Sequence, residues 1–157
     1  MNITSSSKLR IWEAALLLAF GITLTAGVWA NASEAALASR VLRLHVVANS
    51  DSEGDQARKL LVRDAVLARA SQLLEGVHDR QEAEAILAPH LDELAQAGAE
   101  ALARTGSHDQ VSAALTGQWF PTKEYDGFAL PAGQYRALQV TIGAGEGRNW
   151  WCVVFPP

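Results

Sequence analysis

The chain has 157 residues with 13 Lys or Arg and 17 Asp or Glu, so its formal net charge is −4. No run of basic residues and no basic patch stands out, which disfavours nucleic acid binding. The single cysteine, Cys152, excludes a disulfide bond within the chain and leaves stability to packing. Because Cys152 lies in an apolar run, we expect it to be a buried small hydrophobe.

Residues 1–32 have the pattern of an export segment. Lys8 and Arg10 precede an apolar run over 14–30, and Ala-Asn-Ala at 30–32 has the small-x-small pattern of a signal-peptidase site. A basic start, an apolar centre and such a site together predict a cleaved signal peptide.

An uncleaved membrane anchor is the alternative for the same segment. Trp12 and Trp29 bracket the apolar run as interfacial aromatics do, and residues 11–30 would then associate with the membrane. Both interpretations place residues 33–157 outside the cytoplasm, because the basic residues lie on the N-terminal side. These residues carry 11 basic and 16 acidic side chains and suffice for one domain.

Hydrophobic periodicity in that domain predicts an α+β fold in the order β-α-α-α-β-β-β, with helices packed on a mostly antiparallel sheet. Apolar residues at every second position predict strands, and a 3.6-residue period predicts helices. The strands are expected over 41–48, around 111–115, over 135–142 and over 149–155, and the helices over 53–74, from Asp79, and over 90–104.

Two connections in the second half of the chain are also predicted. Residues 117–133 contain many turn formers and aromatics, which is typical of a loop. The glycine-rich stretch 143–147 is typical of a turn between two paired strands. We therefore expect 135–142 and 149–155 to form a hairpin.

The junction between the first strand and the first helix of the domain is its most informative stretch. It contains the polar residues Asn49, Ser50, Asp51 and Ser52. A polar cluster where a strand ends and a helix begins is a common place for a binding or catalytic site. The same residue types cap helices, and Ser52 three residues before Asp55 has the spacing of a capping box. Both interpretations remain open from the sequence.

Most motifs that would indicate catalysis or metal binding are absent. The four histidines lack metal-ligand spacing, and the stretch around Asp51, Glu53 and Asp55 has its glycine in the wrong place for an EF-hand. A looser cation site on these carboxylates is an alternative, but helix capping also explains why these residues are present. The sequence therefore predicts no metal, no cofactor and no catalytic group.

One alternative assigns an enzymatic role. His45 with Asp51 or Asp64 would form an acid–base pair, as in a small exported hydrolase acting on cell-wall material. No nucleophile or metal set accompanies this histidine, so a structural role is favoured.

Charged residues on the first helix of the domain have structural and functional interpretations. Asp64 falls on an apolar stripe and needs a partner, for which Arg43 is a candidate. Lys59 and Arg63 lie four residues apart and would form a basic edge that is solvated or meets an acidic partner.

Two longer blocks carry a family pattern. The first is His-Val-x-Ala-Asn-Ser-Asp, then Asp-Gln, then Lys-x-x-Val-Arg-Asp-Ala-Val, over 45–66. The second is Tyr-x-Ala-Leu, an Ile-Gly turn and Gly-x-Asn-Trp-Trp-Cys-Val-x-Phe-Pro-Pro, over 135–157. In both blocks, and in their order behind an export segment, the chain resembles the stage II sporulation protein R family.

The resemblance implies a signalling protein of endospore formation. Such a protein is exported to the space between the forespore and mother-cell membranes, where it activates a membrane-embedded aspartic protease. That protease then cleaves the precursor of the mother-cell sigma-E factor, so the resemblance implies a ligand and activator and not an enzyme.

The blocks also supply candidate partner-binding residues. Trp150 and Trp151 follow one another on a strand and must point to opposite sides, so one is expected in the core and the other in solvent. Aromatics within 117–128 are further candidate anchors. The candidate partner-binding residues are His45, Asn49, Asp51, Arg63, Asp64, Asn149, Trp150 and Trp151.

Overall fold

A computed structural model describes residues 4–125 and 127–156. The chain divides into two units, which meet between Ala36 and Leu37. Helix α1 (Thr4–Ala38) includes the described part of the first unit and contains the 20-residue stretch Arg10–Trp29, none of which is buried. This stretch is long and apolar enough to cross a membrane, a property that signal sequences share. The helix therefore fits a signal sequence or an anchor.

The second unit has the predicted α+β composition and nearly the predicted order of elements. Helix α3 begins after the predicted cap residue Asp79, whose carboxylate accepts a hydrogen bond from the Glu82 backbone N–H at 2.8 Å. The elements are β1 (Leu42–Val47), α2 (Glu53–Leu73), α3 (Arg80–Leu87), a short 3₁₀ helix (Ala88–His90), α4 (Leu91–Ala103), β2 (Val111–Phe120), β3 (Lys123–Tyr125), β4 (Phe128–Leu130), β5 (Gly133–Ile142) and β6 (Asn149–Phe155).

The main sheet has the strand order β2-β5-β1-β6. Strand β1 is parallel to β5 and antiparallel to β6, and β2 is antiparallel to β5. The predicted hairpin between β5 and β6 is therefore wrong, because β1 lies between them. All six residues of β1 are buried, and a strand with no exposed residue is most stable with a neighbour on each side.

The predicted loop over 117–133 is also wrong. Strand β2 continues to Phe120, which pairs with Gly133, and β3 and β4 form a second, two-stranded sheet. Aromatic residues favour strands, and their contribution outweighs the turn formers around them. We call the β3–β4 pair the small hairpin.

The main sheet has two faces of different composition. The face packed against the helices, the helix face, carries Leu44 and Leu138 within a core of buried aliphatic side chains. The opposite face, the hairpin face, carries Phe120 and Tyr135, packed with Leu130 of the small hairpin. Neighbouring residues of β1 contribute to opposite faces because side chains alternate along a strand.

Helix α2 is held against α4 by a single buried stripe. The stripe contains Val62 and Val66, and Gly98 of α4 faces it so closely that an added Cβ would lie 3.0 Å from Val62 Cγ1. The buried residues of α2 are Asp55, Lys59, Val62, Val66 and Ala70. This stripe places Asp64 on the outer side of the helix.

Candidate docking surface

The junction between β1 and α2 is closed by its own hydrogen bonds. The Asp55 carboxylate accepts from Ser50 Oγ at 2.6 Å, from Asn49 Nδ2 at 3.1 Å and from Arg58 Nη1 at 2.6 Å. The Asp55 backbone N–H donates to Ser52 Oγ at 3.2 Å, which makes Ser52 the cap of α2. Hydrogen bonds from Ser50, then Asn49, and the nearby Arg58 lower the pKa of Asp55, against the opposing effect of burial. The capping interpretation therefore accounts for this cluster.

The junction also holds the turn between β5 and β6. Asn49 Oδ1 accepts from the Ala144 N–H at 2.9 Å, and Asp51 Oδ1 accepts from the Arg148 N–H at 2.7 Å. Lys59 Nζ donates to the Arg148 carbonyl at 2.9 Å. The two sequence blocks are therefore joined in space, and Asn49 and Asp51 serve that connection.

Two residues at this contact show how tightly it is packed. A Cβ on Gly147 would lie 2.3 Å from the Ser50 carbonyl oxygen, so this position requires glycine for close approach and not for its φ angle. Lys59 is buried, and burial together with the charge of Arg148 lowers the pKa of its ammonium. Lys59 therefore does not form the predicted basic edge with Arg63.

The carboxylates considered for a cation site do not converge. Asp55 is engaged by its neighbours, and Asp51 bonds to the Arg148 backbone. Within residues 4–125 and 127–156, no group of three His, Cys, Asp or Glu side chains is arranged to hold a metal ion.

His45 lies on the hairpin face and bonds to another candidate residue. Its Nε2 is 2.8 Å from Asn149 Oδ1, and its ring centroid is 6.1 Å from that of Trp151 and 6.2 Å from that of Phe120. Its Nδ1 is buried without a hydrogen-bond partner among the described residues. The histidine therefore contacts an amide and aromatic rings in place of the carboxylate expected for an acid–base pair.

Arg43, next to it on the hairpin face, is fully buried. Its Nε donates to the Cys152 carbonyl at 3.2 Å and its Nη2 to Tyr125 Oη at 3.0 Å. The guanidinium carbon is 4.4 Å from the centroid of Phe120 and 5.0 Å from that of Tyr135, within the range of cation–π attraction. Burial raises the pKa of Tyr125, partly offset by the charge of Arg43. Aromatic rings thus replace the carboxylate that usually accompanies a buried arginine.

The expected tie between Arg43 and Asp64 is not formed. Asp64 has a side chain 61% exposed and pairs with its neighbour Arg63, with 2.7 Å between Arg63 Nη2 and Asp64 Oδ1. Both residues lie on the outer side of α2 and reach the edge of the sheet, where they border a cavity.

This cavity is a groove along β6, with a volume of about 880 Å³. Strand β6 forms its floor, α2 forms one wall and the small hairpin forms the other. We call it the β6 groove. Its lining residues are Arg63, Asp64 and Leu67 of α2, Tyr125, Phe128 and Leu130 of the small hairpin, Trp150, Trp151, Cys152 and Val153 of β6, and Leu37, Val41 and Pro156.

Strand β6 presents an aromatic ring on each of its two faces, and each ring has a cation above it. Trp150 points to the helix face and is 39% exposed. Its ring centroid is 4.7 Å from Arg63 Cζ, which lies over the ring. Trp151 packs into the hairpin face, and Lys123 Nζ lies 5.4 Å from its ring centroid. Cys152, expected in the core, is half-buried in the groove, and burial raises the pKa of its thiol. The surface is therefore apolar and aromatic, with positive charge at its borders.

The structure gathers part of the predicted set in this groove. Arg63, Asp64, Trp150 and Trp151 line it, whereas Asn149 joins His45 behind the Trp151 ring. Phe128 and Tyr125 come from the aromatic segment that sequence patterns also singled out. Leu67 and Lys123 also belong to this site, but no local pattern in the sequence distinguishes either residue from an ordinary helix or turn residue.

Comparisons with known proteins agree with the two sequence blocks. Residues 38–157 match the family model of stage II sporulation protein R. A relative, stage II sporulation protein R of Bacillus subtilis (strain 168), is 36% identical over 118 residues, which cover 75% of this chain and 53% of the relative. The chain thus spans about half the length of this curated relative, and no solved structure matches it. The chain belongs to the stage II sporulation protein R family.

Proposed function

We propose that this protein is an exported signalling protein of endospore formation. In this proposal it activates a membrane-embedded aspartic protease, which then processes the precursor of the sigma-E factor. Family membership supports the role in sporulation, and the protease step follows from the family resemblance. The apolar helix over Arg10–Trp29 supports export or membrane association. The location between the two membranes is part of the proposal and comes from the family resemblance.

The β6 groove is the observation that carries a binding role. Exposed aromatic side chains with cations beside them are typical of the anchors in protein–protein contacts. Trp150 and Arg63 present such a pair at the surface. The protein would therefore act by contact with the protease and without breaking bonds itself.

The hydrolase alternative lacks support in the described geometry. Its proposed base, His45, bonds to Asn149, and its proposed partners, Asp51 and Asp64, are engaged by Arg148 and Arg63. A general base needs a substrate proton within hydrogen-bond reach, and His45 is almost completely enclosed.

Reconstitution of precursor cleavage tests the proposal. The full chain would be exported in cells that also produce the protease and the sigma precursor, and cleavage would be followed on immunoblots. We expect cleavage only when the chain is present, and a strong reduction with Trp150→Ala. Trp119→Ala is the matched control, because Trp119 is 60% exposed on β2, at the opposite edge of the sheet. Unchanged precursor in the presence of the exported wild-type chain would refute the proposal.

A further inference from the structure

Strand β6 is an edge strand with an open side. It pairs with β1 on one side, and no strand of the described residues pairs with its other side. Its seven residues, Asn149–Phe155, include no charged residue and no proline. Proteins usually protect an edge strand with such residues, with a β-bulge or by covering it, because free backbone N–H and C=O groups accept another strand. The register between β1 and β6 shifts where Leu42 pairs with Phe155 and Arg43 with Val153, so the regular part of the edge is 149–153. This regular part runs along the floor of the β6 groove.

The walls of the groove decide what can reach this edge. Residues of α2, such as Leu67, flank β6 on the helix face, and residues of the small hairpin, such as Phe128, flank it on the hairpin face. We take a single extended segment as the occupant, because it brings no helix or hairpin of its own to the groove, whereas a second copy would bring both.

The chemistry of the walls specifies that segment further. Side chains of an added strand would alternate between the helix face, beside Trp150, and the hairpin face, beside Trp151. Both sides of the groove are largely apolar, and a cation lies over each tryptophan, Arg63 over Trp150 and Lys123 over Trp151. Asp64 pairs with Arg63 and neutralises its charge, which leaves Lys123 as the cation that an acidic group would meet. Complementarity therefore favours apolar side chains on both faces of the segment and a carboxylate near Lys123.

We propose that β6 accepts an extended segment of a partner protein as an added strand, with apolar side chains on both sides of the groove and an acidic side chain near Lys123. The proposal rests on the proposed function in taking the partner to be the protease. Backbone hydrogen bonds to β6 would supply much of the affinity, and contacts with Trp150 and Trp151 would supply the selectivity.

Cys152 provides a direct readout, because it is the single cysteine and lies in the groove. The full chain in detergent micelles would be mixed with short synthetic peptides that tile the extracytoplasmic segments of the protease. Binding would be detected as slower alkylation of Cys152 by a maleimide and as slower amide hydrogen exchange in β6. Leu67→Glu, which places a charge in the apolar wall, should abolish both effects, and Trp119→Ala should leave them unchanged.

Methylation of peptide nitrogens separates strand addition from side-chain docking. Only alternate amides of an added strand face β6. Two versions of the best peptide would be made, methylated at the odd or at the even amides, with identical side chains. We expect one version to lose at least about tenfold in affinity and the other to bind like the parent peptide.

Several results would overturn the strand-addition proposal: equal binding of both methylated peptides, slower exchange in β2 instead of β6, concentration-dependent dimers that protect Cys152 without peptide, or no binding by any peptide. The precursor-cleavage assay, run in parallel, separates the two proposals. Stimulated cleavage without register-dependent peptide binding refutes strand addition alone, whereas the absence of stimulation refutes the proposed function.

Discussion

The two faces of β1 show two different ways of filling a protein interior. On the helix face, Leu44 packs in an aliphatic core that three helices cover. On the hairpin face, Arg43 and His45 are equally enclosed, but each leaves one nitrogen without a hydrogen-bond partner among the described residues. The first face supplies generic hydrophobic stability, whereas the second holds polar groups in defined positions beneath two short strands. The comparison indicates that the helix face fixes the fold and that the hairpin face shapes the groove.

Truncation of the aliphatic core should have the largest effect on stability. Leu44→Ala removes a fully buried side chain from the helix face and should lower the free energy of unfolding by about 2–5 kcal/mol. Urea titration of the full chain in detergent, followed by circular dichroism, measures the change. Leu61→Ala on the outer side of α2, where Leu61 is 46% exposed, should cost less than about 1 kcal/mol. Equal losses would contradict the assignment of the core.

A smaller effect is expected where the end of β1 meets the turn before β6. Gly147→Ala forces a Cβ against the Ser50 carbonyl and should cost about 1–3 kcal/mol, measured by the same titration. Gly117→Ala is the control, since its nearest contact would be the flexible Arg136 side chain at 3.8 Å. A neutral Gly147→Ala would show that the two sequence blocks are not tightly joined.

Replacement of the buried arginine should change stability less than either substitution. Arg43→Met retains much of the volume and leaves no carboxylate unpaired among the described residues, so the change in unfolding free energy should be within about 1 kcal/mol of zero. Arg43→Ala, which also opens a cavity, should cost more. A loss of about 3–5 kcal/mol with Arg43→Met would instead indicate a broken ion pair and contradict the aromatic environment described for Arg43.

The effect of Asp55 should appear as a pH dependence. Its hydrogen bonds hold its pKa below the ordinary value of 3.8 in the folded state, so the unfolded chain binds more protons as the pH falls through this range. The stability that these bonds provide is present above pH 3.8 and is lost below it. Asp55→Asn should therefore be less stable near neutral pH and should lose stability less steeply on acidification. Thermal unfolding at a series of pH values tests this, and parallel curves for both proteins would contradict it.

Local patterns predicted most of the elements but not their partners. Alternation identified β1, and capping chemistry placed the starts of α2 and α3, because these signals lie within a few neighbouring residues. The order of strands depends on contacts between distant segments, so the turn over 143–147 wrongly indicated a simple hairpin.

Burial of charged residues was equally hard to predict. The sequence offers Arg43 as a partner for Asp64, whereas the small hairpin and three aromatic rings enclose it. Asp64 was placed on an apolar stripe, but the stripe that packs runs through Val62 and Val66. Which face of an element is covered depends on its neighbours in the fold, and the sequence of that element alone does not carry this information.

The position of β1 at the centre of the sheet has a consequence for how the protein is made. Leu42 of β1 pairs with Phe155 of β6. Strand β1 is synthesised first, so it has no β6 to pair with until residues 149–155 have been made. Pairings between such distant segments form slowly, and all six residues of β1 are buried in the finished fold. A chain interrupted before Asn149 would leave one side of that strand bare and open to aggregation or proteolysis. The architecture thus makes synthesis of β6 a condition for a complete sheet around β1.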